Sequence, residues 1–241
     1  AAEALGYADD ATAYRDRAAR IREAILDEYF SKTGRLAVET QTGYLLALKF
    51  GVYKDKQKVL DGLNARFKQD CYRIKGGFVG ATGMNCVLAE NGMTDTAYDF
   101  LFFEGFPGWL HCVDLGATTI WERWNSYTHE SGIAKGSMTS FNHYAYGCVC
   151  EWLWETAAGI SCDASDPGFK TIIMKPVPDK RLGWVDARYH SAAGMISSFW
   201  KYEGDTWIWR ITIPEGVSAL VTLPGETSAV RYEAGSYEFR L

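Results

Sequence analysis

Apolar side chains at Ala11, Tyr14, Ala18, Ile21, Ile25 and Tyr29 recur every three or four positions, which predicts a helix over residues 10–29. A second helix is predicted over 42–50, free of charge until Lys49 and stopped by Gly51. A third, over 55–70, carries Val59, Leu60, Leu63 and Phe67 on one side and lysines on the other. Gly34 and a strand-like RLAVE separate the first two, and Gly76, Gly77 and Gly80 mark a loop after the third. A short, nearly uncharged helix over 82–90 ends at Asn91-Gly92, and 94–103 reads as its amphipathic partner. Residues 140–158 read as the longest late helix, closed by Gly159. Charge-poor helices (42–50, 82–90, 140–150) thus alternate with polar ones (10–29, 55–70, 94–103). A helix apolar all round has to be buried, and a striped one can cover it, so the order predicts inner and outer helices of an α/α toroid.

After Pro167-Gly168 the period changes to two. Residues 171–175, 184–190, 195–202, 206–213, 219–223, 229–232 and 236–241 read as strands, with turns at Gly204-Asp205, Pro214-Glu215-Gly216 and Pro224-Gly225. No helix-length segment intervenes, which predicts an antiparallel sheet folded into a sandwich. In 206–213 the residues Trp207, Trp209, Ile211 and Ile213 share one face, and packing is the expected role of those indoles. The chain therefore reads as multidomain, part of a toroid over 1–160 followed by an antiparallel β-domain over 161–241.

The 241 residues can bury a sizeable core, and the formal net charge of -5 with no Lys/Arg cluster argues against nucleic acid. No apolar run is long enough to cross a bilayer. The chain opens on AAEALGYADD rather than on Met and shows no leader; the start reads as a cut, and the cytoplasm is only weakly favoured. Six cysteines, with no CxxC pair, read as small buried hydrophobes in a reducing compartment. Nine Trp and fourteen Tyr suit a saccharide site, an interface or a bulky core.

The densest chemistry lies in GATTIWERW, residues 116–124, where Glu122 and Arg123 sit between Trp121 and Trp124. Rings that stack on a sugar face beside a carboxylate that handles a hydroxyl or a water make a carbohydrate site. The alternative is two core indoles and a Glu122–Arg123 ion pair. An inverting glycosidase needs two carboxyls about 6.5–9.5 Å apart, and Glu122 can supply one. Glu104, Asp114, Glu130 and Glu39 are candidates for the other. His111, His129, His143 and His190 form no metal-ligand pattern, with His111 and Asp114 the only short His/Asp pair, and no nucleophile elbow, P-loop or dinucleotide fingerprint is present. No cofactor or metal is expected.

At these residues the chain resembles the inverting α-L-rhamnosidases of glycoside hydrolase family 78, six-hairpin enzymes. The blocks that carry the likeness are QTGYLLALKFG (41–51), GGFVGATGMNCVLAENG (76–92), TAYDFL (96–101), FPGWLHCVDLGATTIWERW (106–124), SFNHYAYG (140–147) and DPGFKTIIMKP (166–176). The resemblance implies an (α/α)6 barrel and a C-terminal β-domain, with Glu122 as general base. It also implies that His143 and its neighbour Asn142, with Trp109 and Trp121, line the rhamnose subsite, and that no metal is required. The family's general acid lies in an acidic motif that nothing here matches. The chain is accordingly expected to be the C-terminal portion of a longer enzyme, without turnover by itself. A homodimer or an N-terminal partner would cover apolar flanks of 42–50 and 140–158. A non-catalytic carbohydrate-binding or structural module, and a phosphorylase using Arg123 as an anion site, are the competing readings.

Overall fold

The structure, a computed structural model, describes residues 1–136 and 139–241. Its contacts form two compact units, Ala1–Val87 with Asp99–Tyr146, and Leu88–Tyr98 with Gly147–Leu241.

Helices α1 (Ala8–Tyr29), α2 (Gln41–Lys49) and α3 (Lys56–Gln69) open the first unit. The side chains of Thr40 and Asp55 accept from the backbone N–H of Gly43 and Lys58, capping α2 and α3. Tyr44, Leu45, Ala47 and Leu48 of α2 are buried, as are Val59, Leu63 and Phe67 of α3. A Cβ at Gly62 would stand 2.5 Å from the Tyr44 ring, so only glycine allows α3 this close to α2. In α1, by contrast, Ala11 alone is buried, and Tyr14, Ile21 and Tyr29 of the predicted apolar face stand exposed. Periodicity shows that such a face exists and says nothing of what covers it. Beside it, Ile25, Tyr29, Val38, Leu46, Phe50 and Val52 line an almost wholly apolar groove of about 320 Å³ on the flank of α2.

Two local expectations give way here. The predicted strand at RLAVE is a single antiparallel bridge, Phe30 to Leu36, too short for a ladder. The predicted glycine loop contains a one-turn helix, α4 (Gly77–Ala81), anchored where the Thr42 hydroxyl donates to Gly76 O at 2.9 Å. Helices α5 (Met84–Glu90), α6 (Thr94–Leu101) and α7 (Trp109–Asp114) follow, then a hairpin of β1 (Tyr127–Thr128) and β2 (Gly132–Ile133).

Between α2 and α3 a buried carboxylate acts as a tie. Arg66 grips Asp70 through both guanidinium arms, Lys75 approaches it at 3.1 Å, and Gln41 Nε2 donates to it at 2.8 Å. Gln41 also donates to Arg73 O at 2.7 Å and accepts from Lys75 N at 2.9 Å. The hydrogen bond from Arg66, helped by those from Lys75 and Gln41, holds the Asp70 carboxyl well below the usual range despite its burial. A lowered folded-state pKa contributes stability that is complete above the unfolded value near 4 and is lost progressively as pH falls below it. Asp70→Asn is therefore expected to cost about 2–3 kcal/mol at pH 7, with the gap to wild type narrowing toward pH 2, read by urea unfolding. A gap constant from pH 7 to pH 2 would remove the carboxylate from this role.

Residues 145–157 change helix type twice, from a 3-10 turn (Ala145–Cys148) through α8 (Val149–Trp152) to a π turn (Leu153–Ala157). The predicted helix over 140–158 thus begins five residues late, because backbone groups of residues 140–143 are engaged with residues 120–122. Gly159, at φ +73°, ends the helical run and feeds β3 (Ile160–Cys162), a strand the pattern did not show. Strands β4 (Thr171–Met174), β5 (Trp184–Ser191), β6 (Gly194–Glu203), β7 (Thr206–Ile213), β8 (Ser218–Val221), β9 (Val230–Tyr232) and β10 (Gly235–Arg240) complete two four-stranded sheets, ordered β10-β7-β6-β5 and β3-β4-β8-β9. Their inner faces meet in one core that holds Ile172, Met174, Ile196, Trp200, Trp209 and Val221. The indoles of Trp207 and Trp209 are packed there as expected. One pair departs from the antiparallel expectation: β4 and β8 run parallel, and period-two alternation looks the same in either direction.

Candidate active site

Backbone hydrogen bonds clamp two distant stretches of the first unit together. Glu122 N donates to Ser140 O and His143 N donates to Ile120 O, each at 2.9 Å, and the Thr119 hydroxyl donates to Phe141 O. The block holding Glu122 and the block holding His143 therefore lie side by side. Glu122 is only 7% exposed, and its Oε2 accepts from Ser140 N at 2.8 Å. Among the described residues it forms no ion pair; Arg123 is exposed, and the pairing with Arg123 considered from sequence is not formed.

His143 stacks nearly parallel to two rings, Phe78 at 4.7 Å and Tyr144 at 5.5 Å. Its Nδ1 accepts from Ala145 N at 3.3 Å, which leaves the ring proton on Nε2 as a donor. Tyr144 is 89% exposed. Asn142 is exposed as well, with its backbone N–H donating to the Ser140 hydroxyl at 3.1 Å.

Trp109 and Trp121 line one cleft of about 240 Å³, with Trp124, Tyr146, Cys112 and the Ala117–Ile120 backbone stretch as further wall. Trp109 Nε1 donates to Tyr146 O at 2.8 Å, and Trp124 stacks on Tyr146 at 3.9 Å. Trp121 meets Phe141 edge-on at 5.4 Å. Burial pushes the Cys112 thiol up to about 11, so at neutral pH it is a protonated wall atom rather than a nucleophile. All six cysteines are free.

Of the five residues singled out from sequence, Glu122, Asn142 and His143 fall on two facing segments, whereas Trp109 and Trp121 line a cleft whose wall includes none of those three. Phe78 and Tyr144 were not singled out, although an aromatic between glycines and a second ring beside His143 were visible signals. The other carboxylates do not join Glu122. Glu104, Asp114 and Glu130 are exposed, and Glu39 is tied to Arg35 at 2.7 Å. No group of three or more His, Cys, Asp or Glu among the described residues could hold a metal, and no described helix is long and apolar enough to cross a membrane.

Comparison with known proteins bears on both units. The bacterial alpha-L-rhamnosidase 6 hairpin glycosidase domain matches residues 1–157, and the bacterial alpha-L-rhamnosidase C-terminal domain matches residues 159–238. An alpha-L-rhamnosidase of Formosa agariphila is 32% identical over 231 residues, 94% of this chain and 25% of that enzyme. The crystal structure of native alfa-L-rhamnosidase from Aspergillus terreus aligns with a TM-score of 0.92 at 31% identity, covering 100% of this chain and 28% of that one. The Streptomyces avermitilis alpha-L-rhamnosidase complexed with L-rhamnose aligns at 0.89 and 29% identity, covering 100% and 25%. The chain thus spans about a quarter of the length of these relatives. With a six-hairpin glycosidase domain followed directly by the matching C-terminal domain, it belongs to the bacterial α-L-rhamnosidase family.

Proposed function

We propose that this chain carries the base side of an inverting α-L-rhamnosidase site, in which Glu122 takes a proton from the water that attacks the sugar. The observation that carries the reading is the state of Glu122. It is a buried carboxylate with one oxygen fixed by Ser140 N and, among the described residues, no cation to quench it. Fixing one oxygen orients the carboxylate and leaves the other free to meet a bound water. Trp109 and Trp121 offer apolar faces to the pyranose, while His143, through Nε2–H, and Asn142 offer hydrogen bonds to its hydroxyls. The relative complexed with L-rhamnose supports that sugar as ligand.

Inversion also needs an acid for the leaving oxygen. We place it at none of Glu104, Asp114, Glu130 or Glu39, since none shares the enclosure of Glu122. The 241-residue chain alone is accordingly expected to bind L-rhamnose without hydrolysing an aryl α-L-rhamnoside, and robust turnover by it would show that one of these four serves as the acid. The same exposed carboxylates favour a second reading, a carbohydrate-binding module without catalysis. The two part in a rhamnosidase that carries this segment and turns over substrate, where only the first makes activity depend on Glu122.

Binding itself can be tested at once. His143→Ala is expected to weaken L-rhamnose binding roughly 2–12-fold, the worth of one neutral hydrogen bond, by calorimetry on the 241-residue chain. An unchanged dissociation constant would take His143 out of the subsite.

A further inference from the structure

Of the nine tryptophans, eight are buried or half-buried and only Trp184 stands in solvent, at 63% exposure. It opens β5, the edge strand of the sheet ordered β10-β7-β6-β5. The register puts Trp184 beside Lys201 and Asp186 beside Phe199, all on the face turned away from the core, whose own side is taken by Val185, Ala187, Trp200 and Tyr202. Asp186 and Arg188 follow Trp184 along that face at intervals of roughly 6.6 Å, two residues of strand rise each.

The charges on this face are nearly matched, four cations against three carboxylates. Arg188 pairs with Asp186 at 2.9 Å, Lys201 with Glu203, and Arg210 and Arg240 share Glu238 at 2.7 and 2.8 Å. Exposed pairs of this kind add little to stability. Their effect is a rigid surface rich in donors and acceptors with almost no net charge. A phosphate backbone or an anionic membrane needs a cluster of unmatched cations, and this face has a surplus of one. A neutral polyhydroxyl ligand suits it: an exposed indole for the apolar side of a pyranose, and within one sugar's reach a carboxylate and an ammonium for its hydroxyls.

We propose that the outer face of this sheet, centred on Trp184, is a second saccharide-binding site that holds a neutral glycan chain independently of Glu122. Trp184 is the stacking platform, and Asp186, Arg188 and Lys201 bind hydroxyls around it. The sugar class rests on the rhamnoside reading above, whereas the site itself does not.

The experiment is affinity electrophoresis of the 241-residue chain through gels containing a neutral soluble polysaccharide that carries α-L-rhamnose inside its chains and none at their non-reducing ends, so that the Glu122 site is not engaged. The wild-type chain and Glu122→Gln should be retarded alike. Trp184→Ala should bind roughly tenfold more weakly, as loss of an aromatic anchor does, and Trp184→Tyr should recover most of the retardation. Near-UV circular dichroism identical to wild type shows that the variants are folded, and Arg188→Met, an exposed change, provides a second reading of the same face. Retardation of Trp184→Ala equal to wild type, or no retardation of the wild-type chain, overturns the proposal. His143→Ala is expected to leave retardation intact, so failure of the Glu122 site and failure of this one are told apart.

Discussion

In a rhamnosidase that carries this segment and turns over substrate, Glu122→Gln is expected to lower kcat by ~10²–10⁴-fold while L-rhamnose affinity changes little. The substitution keeps the shape of the side chain, and the carbonyl of Gln can still accept from Ser140 N, the contact Oε2 makes at 2.8 Å. What is lost is the ability to take a proton. A uniform rise in KM with kcat preserved would instead mean that Glu122 only binds sugar. Activity above about a tenth of wild type would remove it from the role of base, because general-base catalysis is worth at least ~10²-fold.

Trp200→Ala should be the most damaging substitution in the β-sandwich. Its indole is wholly buried between the two sheets, and Nε1 donates to Ala157 O at 2.7 Å. Truncating a core tryptophan leaves a cavity and typically costs 3–5 kcal/mol, here with the carbonyl of Ala157 also stripped of its donor. Urea unfolding should show the unfolding free energy falling by that amount through a lower midpoint with the slope unchanged. Trp200→Phe keeps part of the volume and should cost about 1–3 kcal/mol, mostly the stranded carbonyl. A loss below about 1 kcal/mol for the alanine variant would mean that the core closes over the gap.

What was legible in the chain follows from the range of the forces involved. The pattern over 55–70 became α3 at Lys56–Gln69, and that over 206–213 became β7 with the same bounds, because both depend on an apolar face with local periodicity. The stretch 140–144 misled for the opposite reason. Its charge-poor composition suits a helix, yet its backbone is claimed by residues 120–122, a long-range pairing that no local pattern carries. The parallel pairing of β4 with β8 was hidden in the same way. At the site, Glu122 and His143 stood out by composition and by family likeness, but the ring of Phe78 against His143 joins residues some sixty positions apart and appears only in three dimensions.

The bonds that Trp200 and Ser198 make have a further meaning for how such chains can be recombined. Trp200 Nε1 ends on Ala157 O, and the Ser198 hydroxyl, itself accepting from Trp209 Nε1 at 2.9 Å, ends on Ala158 O at 2.6 Å. Both acceptors lie just before residue 159, where the match to the C-terminal domain begins. A graft of the β-sandwich cut at that residue leaves two fully buried donors facing whatever backbone the new host supplies, at about 1–3 kcal/mol for each one unmet. Tyr98, whose hydroxyl donates to Val177 O at 2.7 Å and whose ring packs edge-on against Trp152, is left behind as well. The unit of exchange is therefore larger than the stretch of sequence that defines the domain. A swap that preserves folding has to carry the π turn, and a matching piece of residues 88–98, along with the strands.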